Sequence, residues 1–257
     1  MAGQVRCGAR PFGLDLVVGT VAQLVLLAVL CRAVGLGPAG WLAGVAFAAV
    51  TGSVLARAVR GSWQRSFGPA NRVTLARATL VGGVTALVAD SFARPVPVAA
   101  LAGLAAVALA LDAVDGPVAR RTGTATALGA RFDMEVDAFL ILVLSLYAAG
   151  PLGPWVPAVG ALRYLFVAAS WVLPWLRAPL PPSMARKTVA AVQGVVLVAA
   201  DAGIAPWALE RGAVAGALAL LVWSFGRDVG RLWRTRERAG GAAAARAAGG
   251  EPVARAG

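Results

Sequence analysis

Four aspartates lie within one stretch of 26 residues, in a chain that has only 12 acidic residues. Asp112 and Asp115 are three residues apart, and Asp133 and Asp137 are four apart, so each pair shares a helix face. Two helix ends joined by a short polar loop would aim all four carboxylates at one position. Converging carboxylates repel one another, and a divalent cation is an economical source of the compensating charge. Such oxygen ligands suit Mg²⁺ or Mn²⁺, and their number suits a site for two ions.

Small and basic residues continue the first aspartate face for one more turn. They are Gly116, Ala119 and Arg120. Gly116 leaves room for a ligand to approach the backbone, and Arg120 carries a fork of donors that matches phosphate. The combination predicts a site for a metal-chelated pyrophosphate at a membrane surface. The alternative interpretation is that the aspartates are interfacial charges that reach water and cap helix ends.

The whole stretch, which includes Gly129, matches the pattern D-x2-D-G-x2-A-R-x8-G-x3-D-x3-D at all eight fixed positions. This pattern resembles the signature of the CDP-alcohol phosphotransferases, which are integral membrane enzymes of phospholipid synthesis. The resemblance implies transfer of a phosphatidyl group from a CDP-linked lipid, usually CDP-diacylglycerol, to an alcohol, with release of CMP. It implies two metal ions held by the four aspartates, with Asp137 also acting as the general base. It assigns contacts with the CDP part to Gly116, Ala119, Arg120 and Gly129.

A second, shorter pattern opens an apolar run earlier in the chain. Asn71, Thr74 and Arg77 follow the spacing N-x2-T-x2-R, which resembles the start of the first core helix of the same family. The resemblance implies hydrogen bonds from these side chains to the cytidine or to a phosphate. The alternative is that Asn71 is a helix N-cap and that the arginine reaches the membrane surface.

Basic residues in the second half of the chain are candidates for binding an anionic acceptor. Arg163 lies inside an apolar run, where it needs an anionic partner, either a substrate or an acid such as Glu135. Arg186 and Lys187 begin a basic-Lys-Thr run that resembles enzymes using glycerol 3-phosphate, although Gln193 follows at an unexpected spacing. Both could equally be positive-inside anchors. Glycerol 3-phosphate is the acceptor that we expect, and inositol phosphate, serine and phosphatidylglycerol are the alternative acceptors.

Long apolar runs must position these residues. The chain is 59% hydrophobic with a mean hydropathy of +0.76, which indicates an integral membrane protein. We expect an all-α, polytopic membrane helical bundle with a six-helix family core and two extra N-terminal transmembrane helices. Pro117 should end or kink the fourth helix near Asp112. The eight expected spans are 14–34, 40–56, 71–88, 95–111, 127–149, 155–175, one beginning at 186, and 206–225.

Composition shifts divide the chain into three parts. We predict a two-helix N-terminal membrane extension over 1–66, the CDP-alcohol phosphotransferase membrane domain over 67–237, and a disordered tail over 238–257. The two N-terminal spans have no evident role beyond packing or dimerisation. The resemblance implies a homodimer. The chain has no histidine, which excludes histidine-based catalysis and histidine metal ligands.

The basic residues are distributed unevenly between the two ends of the spans. The net charge is +12, and placing the N-terminus in the cytoplasm puts 20 of the 24 basic residues on that side. This asymmetry predicts a protein of the plasma (inner) membrane with the active site and both termini in the cytoplasm. The expected partners are membrane lipids and phosphate substrates, with no nucleic acid. A rival function is a membrane transporter or cation-binding protein, which should carry its carboxylates near mid-membrane. A further rival is a catalytically inactive, structural member of the family.

Overall fold

The chain folds into helices throughout the part that the structure, a computed structural model, describes, namely residues 12–60, 69–122, 126–178 and 183–248. These ranges hold eight α-helices, a short 3-10 turn at Pro174–Arg177 and no strand. The predicted all-α bundle is therefore confirmed. The helices are α1 (Phe12–Val34), α2 (Pro38–Arg60), α3 (Pro69–Ser91), α4 (Val98–Thr122), α5 (Ala127–Leu152), α6 (Ala158–Val172), α7 (Met184–Asp201) and α8 (Trp207–Ala248).

Five of these helices are long and apolar enough to cross a membrane. A helix satisfies its own backbone hydrogen bonds, which is what a bilayer core without water demands. Among the other three, α4 and α6 contain shorter apolar segments, and α7 carries charges at both ends. The prediction of eight spans is thus met at full length by five helices. They are found at Gly13–Val34, Pro38–Arg57, Arg72–Ser91, Gly129–Leu152 and Trp207–Arg236.

Two helix ends differ from the sequence prediction. Helix α4 continues through Pro117 to Thr122, instead of ending near Asp112. Pro117 is five residues from the helix end, where water can satisfy the carbonyl that the proline leaves without a donor. Helix α8 continues to Ala248, so residues 238–248 of the predicted disordered tail are helical. Alanine, which dominates this segment, has the highest helix propensity, and residues 249–257 lie outside the described ranges.

Helix α3 occupies the centre of the bundle. It packs against α1, α2, α4 and α5, and it is the most buried of the five long apolar helices. Val81, Val84 and Leu87 along it are fully buried. Helix α7 packs against α4, α5 and α8, and α6 lies against α5. Helix α3, which carries one sequence motif, therefore packs against both helices that carry the aspartates, α4 and α5.

Candidate active site

Three of the four motif aspartates converge at one end of the bundle. Asp112 comes from α4, and Asp133 and Asp137 come from α5. One carboxylate oxygen from each lies within 4.8 Å of the others, and all three residues are half-buried. The side chain of Asp115 lies outside the described residues. We call Asp112, Asp133 and Asp137 the acidic triad.

The start of α5 has a local determinant that positions its two aspartates. Thr126 is the N-cap, and its hydroxyl accepts a hydrogen bond from the backbone N–H of Gly129 at 3.0 Å. An N-cap threonine satisfies one of the donors that a helix start leaves without a partner. Asp133 and Asp137 then follow one turn apart on the same face of the helix. Threonine is a preferred N-cap, so the residue type at position 126 was a signal for this helix start.

Arg77 supplies a positive charge at the centre of the triad. Its side chain is fully buried, and its guanidinium forms ion pairs with all three aspartates. The Nη1 atom lies 2.9 Å from Oδ1 of Asp112 and also contacts Asp133, whereas Nη2 contacts Asp137. Because α3 packs against both α4 and α5, the guanidinium lies between aspartates from two helices.

One arginine balances the charge of only one of the three carboxylates. These four residues together carry a formal charge of −2. That charge and the close approach of three oxygens fit one divalent ion of the Mg²⁺ or Mn²⁺ type. Asp112, Asp133 and Asp137 would hold it. A second ion would need Asp115, whose side chain is not described.

The sequence motif assigns Arg77 to the CDP part of the substrate and predicts no partner for it within the protein. The sequence nevertheless contains a signal for such a partner, because an arginine on an apolar helix requires an anion, as Arg163 does. Thr74 lies three residues earlier, on the same face of α3, and is also buried.

Most of the remaining residues predicted to contact CDP have side chains outside the described part of the structure. Gly129 is in the first turn of α5, where its N–H meets Thr126. The other predicted contacts lie in helical segments whose side chains are outside the described residues. They are Asn71, Gly116, Ala119 and Arg120.

The basic residues predicted to bind an acceptor have other surroundings. Arg163 forms an ion pair with Glu135, so the structure favours the alternative stated for it. Nη1 of Arg186 lies 3.3 Å from Oδ2 of the buried Asp228 on α8. Lys187 is exposed. Both described arginines thus have acidic partners outside the triad.

Gln193, the glutamine that follows this basic run, has a structural role. Its side chain is buried, and its amide Nε2 donates a hydrogen bond to the carbonyl of Ala217 at 2.7 Å. A buried amide needs such a partner to offset the loss of water. Gln193 therefore links α7 to α8 through a hydrogen bond.

The comparisons with known proteins agree with this geometry. Residues 67–223 match the family model of the CDP-alcohol phosphatidyltransferases, whereas no curated protein and no solved structure matches the chain significantly. Members of that family are membrane transferases of phospholipid biosynthesis that move a phosphatidyl group from a CDP-linked alcohol to an acceptor, generally with a divalent metal. The matched segment is more than half of the chain and contains both Arg77 and the acidic triad. The protein is therefore a member of the CDP-alcohol phosphatidyltransferase family.

Proposed function

We propose that this protein transfers the phosphatidyl group of CDP-diacylglycerol to an alcohol and releases CMP, with glycerol 3-phosphate as the acceptor. The observation that carries the proposal is the acidic triad, which converges on Arg77 inside the segment matched to the family. Three converging carboxylates beside an arginine, whose fork of donors matches phosphate, suit a metal-chelated pyrophosphate.

The triad would hold the metal, with Asp115 as the proposed fourth ligand and a second ion beside the first. A bound Mg²⁺ or Mn²⁺ supplies neutralisation of the pyrophosphate charge and stabilisation of the departing CMP. The protein's own contribution is to fix the carboxylates in place before the substrate arrives. Helices α4 and α5, which both pack against α3, do this together.

Asp137 is the proposed general base. It accepts the proton of the acceptor hydroxyl, the hydroxyl oxygen forms a new bond to the phosphatidyl phosphorus, and the bond from phosphorus to the CMP oxygen breaks with its electron pair on CMP. A guanidinium binds phosphate as readily as carboxylate. Arg77 can therefore exchange its contact with Asp137 for a donor phosphate oxygen, which frees that carboxylate for the acceptor.

The acceptor assignment is supported by fewer observations. Lys187 is exposed, and Arg186 contacts Asp228 at the same end of α7. We propose these two residues as contacts for an anionic acceptor, whereas Arg163 would have to leave Glu135 to take part. Inositol phosphate, serine and phosphatidylglycerol are the alternative acceptors. We place the end of the bundle that carries the acidic triad in the cytoplasm, at the plasma (inner) membrane, because most basic residues are expected on that side. Homodimerisation stays a prediction from the family resemblance.

The test is release of CMP from CDP-diacylglycerol by the purified protein with Mg²⁺ or Mn²⁺, across a panel of acceptor alcohols. We expect metal-dependent release with one acceptor preferred, and identification of the lipid product gives that acceptor. No release with any alcohol, from a folded protein that is loaded with metal, would contradict the proposal.

A further inference from the structure

The two N-terminal helices lie outside the segment matched to the family, yet they are packed directly against its central helix. The match begins at residue 67, whereas α1 and α2 end at Val34 and Arg60. Both pack against α3, the helix that carries Arg77. We call α1 and α2 the N-terminal unit. Its contacts with α3 are close enough to constrain where α3 lies.

Helix α1 packs alongside α3, beginning at the end of the bundle that carries the acidic triad. Oδ1 of Asp15 lies 3.1 Å from Nε of Arg72, and the Asp15 side chain is only 8% exposed. One turn further along α1, a Cβ added at Gly19 would lie 2.9 Å from a methyl group of Leu75. Positions along the two helices rise together, so α1 and α3 run parallel. The absence of a side chain at Gly19 permits this approach.

The same contact continues towards the middle of the bundle. A Cβ added at Gly82 of α3 would lie 2.5 Å from the amide oxygen of Gln23. Gln23 is itself buried on α1, and a Cβ at Gly83 would lie 2.8 Å from a methyl group of Leu26. Two successive glycines on α3 therefore accept side chains from α1. This packing restricts sliding and rotation of α3 against the N-terminal unit.

The far end of α3 is fastened to the turn between α1 and α2. The backbone N–H of Gly37 donates to both carboxylate oxygens of Asp90, at 3.0 and 3.2 Å. Nε of Arg94 donates to the same carboxylate at 2.6 Å, and Asp90 is 2% exposed. On α2, a Cβ added at Gly40 would lie 2.8 Å from the carbonyl oxygen of Ala86. The N-terminal unit thus contacts α3 at both ends.

The contacting residues define one side of α3, and Arg77 is on the other. Arg72, Leu75 and Gly82 recur at helical spacing and face α1. At 3.6 residues per turn, Arg77 points roughly opposite to their mean direction. Arg72 precedes Arg77 by five residues, which is about 7.5 Å along the helix axis. The N-terminal unit therefore supports the back of the helix whose front carries the guanidinium.

We infer that the N-terminal unit is a positioning element of the active site, with Asp15 as its main positioning residue. By holding Arg72 and the back of α3, it sets the depth and rotation at which Arg77 reaches the acidic triad. This inference rests on the proposed function, in which Arg77 contacts the donor. It gives the two helices outside the family segment a specific role in donor binding.

The test compares Asp15→Asn with the conservative variant Asp15→Glu in the full-length protein. We expect Asp15→Asn to raise the KM for CDP-diacylglycerol by roughly threefold or more, because small displacements of a positioning group weaken binding steeply. The KM for the acceptor and the Tm should change little. Asp15→Glu, which keeps the charge, should restore the donor KM towards that of the wild type.

A double-mutant cycle identifies the contact through which Asp15 acts. In an Arg72→Gln background, the further change Asp15→Asn should have almost no effect on the donor KM, because the pair is already broken. Gly40→Ala is a second way to displace the unit, since its methyl group would meet the Ala86 carbonyl. Gly212→Ala is its matched control, because nothing lies within 4 Å of a Cβ there.

The outcomes separate this inference from the proposed function. Calorimetric binding of CDP, with Mn²⁺ present and no acceptor, repeats the comparison without turnover. An unchanged donor KM and CDP affinity in both Asp15→Asn and Gly40→Ala would overturn the inference alone. A loss of Tm with both KM values unchanged would overturn it too, since that is the result of a purely structural role. A wild-type protein that neither binds CDP nor releases CMP would contradict the proposed function and the inference with it.

Discussion

Acidic residues at the two ends of α3 have different surroundings. At the acidic triad, three carboxylates share the single guanidinium of Arg77. At the other end of α3, the one carboxylate of Asp90 has one arginine and a backbone N–H group as partners. The Asp90 carboxylate pairs with one arginine and fixes the fold at that end, whereas the triad brings three carboxylates from two helices to one position. Converging carboxylates, rather than a single buried carboxylate, are the arrangement that suits a divalent cation.

The largest effect is expected from removing the proposed base. Asp137→Asn should lower the rate of CMP release by about 10³-fold, because a positioned general base contributes on that scale. The amide keeps the shape of the side chain, so binding of CDP-diacylglycerol should be largely retained. CMP release and donor binding, measured on the same preparation, check both halves. Wild-type turnover in this variant would show that another group accepts the proton.

Arg77→Ala tests whether the triad is an incompletely neutralised site. Removal of the buried guanidinium leaves three carboxylates without their counter-charge, which should destabilise the metal-free protein by about 3–5 kcal/mol. Mn²⁺ should then raise the Tm more in the variant than in the wild type, because the ion replaces the lost charge and binding to the folded state stabilises it. The measurement is thermal unfolding with EDTA and with Mn²⁺. Arg163→Ala, in the balanced pair with Glu135, is the control and should show no added response to Mn²⁺.

Asp90→Asn examines the balanced cluster. The amide loses the negative charge that pairs with Arg94 and replaces one acceptor oxygen with a donor NH2 beside the Gly37 N–H, so we expect a loss of about 1–3 kcal/mol of stability. The concentration of Mn²⁺ that half-activates CMP release should not change. Thermal unfolding and a metal titration of activity measure the two quantities. An altered metal requirement would show that a change at Asp90 affects metal binding at the acidic triad, at the other end of α3.

The smallest effect is expected at the pair between α5 and α6. Glu135→Gln removes the partner of Arg163, and both side chains are partly exposed, at 57% and 29%. Where water reaches such a pair, it contributes about 1 kcal/mol or less. Unfolding should shift little, and the KM for the acceptor should stay unchanged if Arg163 serves only this pair. A lower KM for the acceptor in the variant would support the prediction that Arg163 contacts the substrate, because the freed guanidinium would then bind the acceptor.

Much of the fold and part of the site followed from local patterns in the sequence. The apolar runs predicted the helices, and the spacing of Asp133 and Asp137 placed both on one face of α5. Helix ends were less well predicted, as α4 passes Pro117 and α8 reaches Ala248. Continuation of a helix near its end depends on hydration and on intrinsic propensity, which a hydrophobic pattern does not report.

The helical membrane bundle and the paired aspartates on two of its helices could be predicted from local sequence, because those features depend on residues three or four apart. The position of Arg77 among the aspartates could not, since its two partners on α5 are 56 and 60 residues away along the chain. The same holds for the pairing of Arg163 with Glu135 and for the position of α1 behind α3. A buried charge requires some partner on energetic grounds, but which partner it meets is decided by how the helices pack.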